Sequence, residues 1–298
     1  MTRQVKTSTF SHAHPLKGAL LMLLATLLFA VADALGKQVT THYPFQQAVW
    51  LRCVFGMLMV GTVMLATRVS FRSHRWGWHL ARSLVGIPLT MGIFTGLKYI
   101  PLAEVTAIVF ASPLIVALYS SLVLKEQISR GIYLAIIAGF CGVLLVVRPT
   151  PGHFHVAHLS MLAFAGAAAF LTISARQLLK SESVLALNFY VYPVSAILTT
   201  PGAHQNWVMP TARDWLLFLL LALFATLALF CVTKAVHYTR PSRLAPIDYS
   251  RILWTVALGY LIWGEFPDAM TWIGIVVIVS CGLYIVTRPA GDDYAQGG

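Results

Sequence analysis

Two residues three positions apart, Asp248 and Arg251, open the chemical reading of this chain. They lie in a stretch rich in Leu, Ile, Ala, Val and aromatic residues, and a spacing of three puts them on one face of a helix. An arginine there can hold a carboxylate through two parallel hydrogen bonds, and an aspartate can hold an ammonium. Two readings are open: a site for a zwitterion, or an internal salt bridge that neutralises both charges and lets the segment enter lipid. Pro246 stands nearby and removes one backbone donor, which either exposes carbonyls to a ligand or simply kinks the helix. Tyr249 and Trp254 flank the pair, and Tyr99 and Tyr190 lie in or at the ends of other apolar stretches. Such rings suit contact with an aromatic solute. Tyr238 and Trp263 read instead as interfacial residues at helix ends.

Three more charged residues fall inside apolar segments: Asp33, Arg52 and Glu104. A charge at the centre of a membrane helix costs about 2.5–3.5 kcal/mol on insertion scales, so none of them should face lipid. Asp33 precedes Lys37 by four, the spacing of an ion pair along one helix face; the sharper alternative is a proton relay. Glu104 opens its helix, where the helix dipole favours a carboxylate; the alternative is a protonatable coupling or gating group. Arg52 reads as a countercharge to Asp33 or Glu104, or as a binding residue. Glu126 and Glu265 end their helices and read as structural, paired with cations or loop donors.

Other chemistry is disfavoured. His153, His155 and His158 crowd one loop without the fixed helical spacing of a dedicated metal site, so a solvated loop is expected and no metal is assigned. Cys53, Cys141, Cys231 and Cys281 all lie in apolar segments without CxxC spacing and read as small buried hydrophobes. No G-x-x-x-x-G-K-[ST] loop, HExxH or GxSxG occurs, which argues against an ATP-driven pump and against an intramembrane enzyme. No cofactor is implied.

The elements that must hold these residues are membrane helices. Of 298 residues, 58% are hydrophobic and only 10% charged, with a mean hydropathy of +0.76. A soluble domain carries about 25% charge, so too little polar surface exists here to cover a globule. The net charge of +11 is scattered singly between apolar segments, unlike a nucleic-acid-binding stripe. Ten windows have the roughly 20 apolar residues a crossing needs: 17–36, 45–67, 76–98, 101–124, 130–148, 157–180, 184–201, 213–237, 242–264 and 270–288. The seventh, with Pro193, and the ninth, with Asp248 and Arg251, are the weakest. Ala30-Val31-Ala32 resembles a signal-peptidase site, but cleavage there would delete a segment that has a counterpart in the second half. With the N-terminus inside, 15 of the 21 Lys and Arg fall on the cytoplasmic side, four on the opposite side and two within spans. That imbalance places both termini in the cytoplasm.

The chain also repeats itself. A shift of 139 lays Tyr99 on Tyr238 and Glu126 on Glu265; a shift of 140 lays Cys141-Gly142 on Cys281-Gly282 and Arg148-Pro149 on Arg288-Pro289. Five spans is an odd number, so the second copy enters from the opposite side. The expected fold is therefore an all-α integral membrane protein of ten transmembrane helices, arranged as two inverted-topology five-helix repeats. The expected partition is an N-terminal tail 1–16, a first repeat 17–148, an outer connection 149–156, a second repeat 157–288 and a C-terminal tail 289–298.

On these features the sequence resembles the drug/metabolite transporter superfamily, in its EamA-type ten-helix branch. The resemblance rests on the run from Gly96 through Pro101-Leu102-Ala103-Glu104 to Ala111-Ser112-Pro113-Leu114, closed by Leu124-Lys125-Glu126. A weaker echo runs from Tyr238-Thr239-Arg240-Pro241 to Trp263-Gly264-Glu265. It covers about 16 to 289 and is similar to YddG-type amino-acid exporters, which favour aromatic substrates; riboflavin-type and S-adenosylmethionine-type carriers share the Pro-Leu-Ala-Glu stretch. The resemblance implies a secondary transporter of a bacterial-type inner membrane, exporting amino acids by alternating access between the halves, with a monomer as the expected unit. Uptake of a vitamin or nucleotide-like metabolite is the alternative. In the second repeat Arg243 stands opposite Glu104 and Ile252 opposite Pro113, so the two gates are expected to differ chemically.

Overall fold

The computed structural model describes residues 15–71, 73, 75–122, 129–149, 154–178, 182–238, 244 and 247–287. Arg72, Lys125, Glu126, His153, Lys180, Arg240, Arg243, Pro246 and Arg288, with residues 1–14 and 289–298, lie outside the described residues. Twelve α-helices and no strand are found among the described residues. They are α1 (Pro15–His42), α2 (Phe45–Ala66), α3 (Trp76–Tyr99), α4 (Leu102–Val109), α5 (Ser112–Leu122), α6 (Arg130–Val147), α7 (Val156–Leu178), α8 (Val184–Phe189), α9 (Val191–Gln205), α10 (Ala212–Tyr238), α11 (Arg251–Trp263) and α12 (Ala269–Thr287).

These helices make ten rods, because α4 continues into α5, α8 into α9, and a short helical stretch at 247–248 into α11. Among the described residues, seven spans are long and apolar enough to cross a membrane unaided. The apolar part of α7, α11 and the broken α8–α9 rod complete the set. Successive rods run antiparallel; the face from which α1 starts is called here the near end, and the face at which it finishes the far end. Along α1 the large side chains Leu16, Leu20, Leu23, Leu24 and Leu27 are exposed while Asp33 and Lys37 are buried. That inversion of the soluble pattern is what lipid requires.

The helix breaks have local causes. Pro113 cannot donate an amide hydrogen to the Val109 carbonyl, and the Ser112 hydroxyl donates to that oxygen instead, at 2.7 Å. The rod therefore turns at Phe110–Ala111. The seventh rod turns at Tyr190, three residues before Pro193, and the ninth at Tyr249–Ser250. The first and third of these breaks are 139 residues apart, the same shift that relates the two repeats.

Packing confirms the repeat and corrects one expectation about it. The broadest helix contacts are α1 on α10 and α3 on α7; exchanging the halves turns one into the other. The pairs α2–α9 and α6–α12 each map onto themselves. The sequence halves are thus not separate bodies meeting at one seam. One bundle is built on α1 with α10 and α11, the other on α3 with α4–α5, α7 and α8–α9; α2 packs on both α10 and α9, and α6 and α12 pair beside them. The broadest packing partner of α1, α2, α3, α6 and α7 comes in each case from the opposite repeat. The α6–α12 pair crosses where Gly142 faces Gly274: a Cβ on Gly274 would stand 2.8 Å from the Gly142 carbonyl oxygen. Of the cysteines, Cys53 and Cys231 are buried and Cys281 partly so, but Cys141 is exposed on α6, correcting the expectation of four buried thiols.

Candidate functional site

The break in the ninth rod collects polar groups at mid-depth. Ser250 shares a hydrogen bond of 3.1 Å with Thr26 of α1. In the next residue, the Arg251 guanidinium pairs with Asp33 of α1 and lies 4.9 Å over the Phe29 ring. The intrahelical Asp33–Lys37 pair read from spacing is not formed, and Arg251 directs its ion pair to Asp33 rather than to Asp248. Both outcomes follow from packing, since α1 and α11 lie side by side and supply opposite charges at the same level. Arg251 Nε, Trp254 Nε1 and Tyr249 Oη are buried donors with no hydrogen-bond acceptor among the described residues. Unmatched buried donors carry a desolvation cost that an incoming acceptor would relieve. The Tyr249 hydroxyl packs against Gly282 of α12, and its ring lies 4.7 Å from Phe110 at the other break.

The far end is closed by a second polar group. Lys37 donates to both carboxylate oxygens of Glu265 at 2.5 Å, to the Ile100 carbonyl at 3.4 Å, and lies 5.1 Å over the Trp263 ring. Glu265 in turn accepts the Leu102 amide hydrogen at 3.2 Å. Gly264, with φ 70°, makes this possible. A side chain would be strained there, and the turn folds Glu265 back so that its amide donates to the Gly259 carbonyl. Lys37 and Glu265 belong to one bundle and Ile100 and Leu102 to the other, so the ion pair docks the two bundles together.

Around it stand two more ion pairs. Glu104 of α4 meets His158 of α7 at 3.6 Å, with both residues buried. Arg148 pairs with Asp268, whose carboxylate also caps α12 by accepting the Thr271 amide hydrogen. Hydrogen bonding from Arg148, backed by Thr271, holds the Asp268 carboxyl well below the usual carboxylate range. His158 was expected in a solvated loop; it sits instead in the first turn of α7 at 2% exposure. The spacing His155–His158 across a helix start was the signal that could have found it.

The other expected site residues are spread out. Tyr99 is exposed at the far end, stacked on His155 at 4.6 Å. Tyr190 lies towards the near end, where its hydroxyl donates to the Phe71 carbonyl and its ring meets His79 at 4.3 Å. Arg52 lies 5.9 Å over Phe94; its expected partners Asp33 and Glu104 pair with Arg251 and His158 instead. Only Asp248, Tyr249, Arg251, Trp254 and Asp33 belong to the mid-depth group. Arg82 is one of the 15 cations counted on the cytoplasmic side from the sequence. It is buried within α3, donating to the Leu171 carbonyl at 2.7 Å and to Ser174 at 2.6 Å, and its place inside an apolar window was the missed signal. Among the described residues no group of His, Cys, Asp and Glu could hold a metal ion.

Comparison with known proteins agrees with this architecture. The profile of the EamA-like transporter family matches twice, over residues 16–148 and 155–288. The chain is 28% identical to the pseudopaline exporter CntI of Pseudomonas aeruginosa, over 89% of this chain and 94% of that protein. It is 27% identical to a riboflavin transporter of Vibrio cholerae, covering 91% and 93% respectively. It is 26% identical to an S-adenosylmethionine uptake transporter of Rickettsia prowazekii, covering 91% and 92%. A solved crystal structure shares the fold, with a TM-score of 0.63 at 19% identity, over 91% of this chain and 96% of the other.

Proposed function

We propose that this chain, which belongs to the EamA-like transporter family, exports amino acids, large or aromatic ones foremost, across a bacterial inner membrane with both termini cytoplasmic. The observation that carries this reading is the Asp33–Arg251 ion pair between α1 and α11, beside the unmatched Arg251 Nε and Trp254 Nε1. A zwitterion presents the same two charges that this pair already satisfies. Its carboxylate takes Arg251, its ammonium takes Asp33 or Asp248, and Trp254, Phe29 and Tyr249 offer rings to its side chain. The exchange adds no net charge to a region where unpaired charge is costly.

Access alternates as the two mixed bundles rock on each other. The Lys37–Glu265 docking on Ile100 and Leu102 closes the far end, which the charge imbalance of the loops assigns to the outside. The repeats 17–148 and 157–288 supply helices to both moving bodies.

Purified protein in liposomes tests the reading through flux of Trp, Phe, Met and Thr. Movement of at least one, with loss on Arg251→Gln in folded protein, supports it. Failure of all four overturns the substrate assignment. A second reading, uptake of a vitamin or nucleotide-like metabolite, draws on the relatives named for riboflavin and S-adenosylmethionine; movement of either compound in place of the amino acids would favour it.

A further inference from the structure

We propose that Arg52 is an anion-binding subsite that takes a carboxylate of the solute on the far-end side of the Asp33–Arg251 pair; this deepens the transport reading above and rests on it.

Arg52 is a cation that no described carboxylate balances. It lies five residues past the buried Gln47 of α2, about 7.5 Å further into the bundle at the rise of a helix. α2 packs on α1, α3, α8, α9 and α10. The carboxylates that these elements bring are already engaged. Asp33 of α1 is held by Arg251. Glu182, just before α8, accepts from Ser73 at 2.6 Å. Asp214, in the first turn of α10, accepts from Tyr43 and Thr211, both at 2.6 Å. α2, α3, α8 and α9 themselves contain no Asp or Glu. Among the described residues Arg52 therefore has no counterion, and no oxygen accepts a hydrogen bond from its guanidinium. A cation left so in a membrane bundle carries a desolvation cost that an incoming anion relieves.

The surroundings fit a carboxylate. The guanidinium lies 5.9 Å over the Phe94 ring of α3, and Phe94 is 1% exposed, so the charge points into the bundle and not to lipid. A ring face attracts a cation but leaves its in-plane N–H groups unmatched, and a carboxylate accepts two of these at once. One turn along the same face of α2, Tyr192 of α9 fills a notch at Gly56: a Cβ on Gly56 would stand 2.9 Å from that ring and 3.3 Å from its hydroxyl oxygen. The Arg52 charge acts on this hydroxyl, which supplies another donor beside the guanidinium. Arg52 itself is half-buried, so the packing around it does not seal it.

Phe94 also fixes the place of Arg52 relative to the central pair. A Cβ on Gly36 would stand 3.5 Å from the Phe94 ring, and Gly36 lies one turn beyond Asp33 on α1, next to Lys37. Arg52 is thus about one helical turn closer to the far end than Asp33, beneath the Lys37–Glu265 closure. A carboxylate moving from Arg251 towards the far end meets Arg52 next. An anion that carries no ammonium cannot displace Asp33 from Arg251 without stranding a buried charge, whereas Arg52 has no partner to give up.

Calorimetric titration of the purified protein at pH 7 with benzoate and with its neutral amide, benzamide, tests the subsite. The parent should bind benzoate at least about tenfold more tightly than benzamide, the difference a charge-assisted hydrogen bond makes. Arg52→Gln should abolish that preference, and Arg52→Lys, which keeps the charge without the fork, should retain part of it. Without ligand, Arg52→Gln should unfold at no lower a temperature than the parent, because it strands no partner; a structural countercharge would make the variant less stable. Equal affinity of the parent for benzoate and benzamide, a preference that survives in Arg52→Gln, or a destabilised Arg52→Gln protein overturns the proposal. Amino-acid flux that fails while the Arg52-dependent binding stands would overturn the substrate reading alone; flux that stands without that binding would overturn the subsite alone.

Discussion

Phe110 and Tyr249 place their rings 4.7 Å apart, inclined at 54°, and each sits at the break of its own transmembrane rod. They are 139 residues apart, so the internal repeat lays one on the other. Two equivalent breaks therefore meet at the middle of the molecule, next to the Asp33–Arg251 pair. The sequence of one break contains Pro113 and that of the other Ile252, so equal geometry is reached by unequal chemistry.

Splitting the Asp33–Arg251 pair should be worse than removing it. Arg251→Gln leaves Asp33 as a buried uncompensated charge and should cost about 3–5 kcal/mol of unfolding free energy, while Asp33→Asn, which leaves Arg251 facing Asp248 three residues away, should cost less. The double variant should recover much of that loss. Denaturant unfolding of the purified protein measures all three, and a double variant as unstable as the sum of the singles would refute the relationship.

The far-end lock should show coupling energy. Lys37→Met and Glu265→Gln should each raise the open population, with an interaction term of about 0.5–3 kcal/mol in the double-mutant cycle. Exchanging the two charges, Lys37→Glu with Glu265→Lys, should restore only part of the closure. The pair would survive, but a carboxylate would then face the Ile100 carbonyl and an ammonium the Leu102 amide. Spin labels at Thr41→Cys on α1 and Lys98→Cys on α3, in a background without native cysteines, give the far-end distance that reads each outcome.

Close approach of α6 and α12 depends on the absence of a side chain at Gly274. Gly274→Val places carbon against the Gly142 carbonyl oxygen and Val146, and should destabilise by about 1–3 kcal/mol. Gly166 has open space where a Cβ would stand, so Gly166→Ala should stay within about 0.5 kcal/mol of the parent. Thermal unfolding of both variants side by side distinguishes packing from a general intolerance of substitution.

Asp268 gives a pH prediction with a definite sign. Its native carboxyl is held below the ordinary value of about 3.9 by Arg148 and by the Thr271 amide. The stabilisation is therefore whole at pH 5 and above, and is lost only as the pH falls through the carboxylate range towards the native value. Asp268→Asn keeps a cap but loses the charge; since Asp268 is 56% exposed, the loss should be under about 1 kcal/mol, constant from pH 5 to 8, and smaller in high salt. Asp268→Ala also removes the cap and should cost about 1 kcal/mol more. A difference between the Asp268 variants and the parent that changed between pH 5 and pH 8 would contradict this.

How much was legible beforehand depends on the distance over which each feature is decided. The spans followed from runs of apolar residues, because lipid constrains each helix separately, and the observed bounds of α2, α3, α6 and α10 lie within a residue or two of those read from sequence. Pro193 marked the seventh window as a weak span, and the rod there is broken at Tyr190. Partner choice among charges was not legible. Asp33 and Lys37 stand at pairing distance along one helix, yet each finds its counterion on the ninth rod or just after it. His158 looked solvated because its helix start could not be seen, and Arg82, counted with the cytoplasmic-side cations, is buried against α7.

Composition and the 139-residue shift by themselves determined that this chain is a repeated bundle of membrane helices, since hydropathy and the parity of five crossings act without knowledge of any neighbour. Only the tertiary structure decided that the repeats interlock into mixed bundles, that Arg251 serves Asp33, and that Lys37 closes on Glu265. A buried charge selects whichever opposite charge arrives at its own depth, and depth across helices is a property of packing rather than of spacing along the chain.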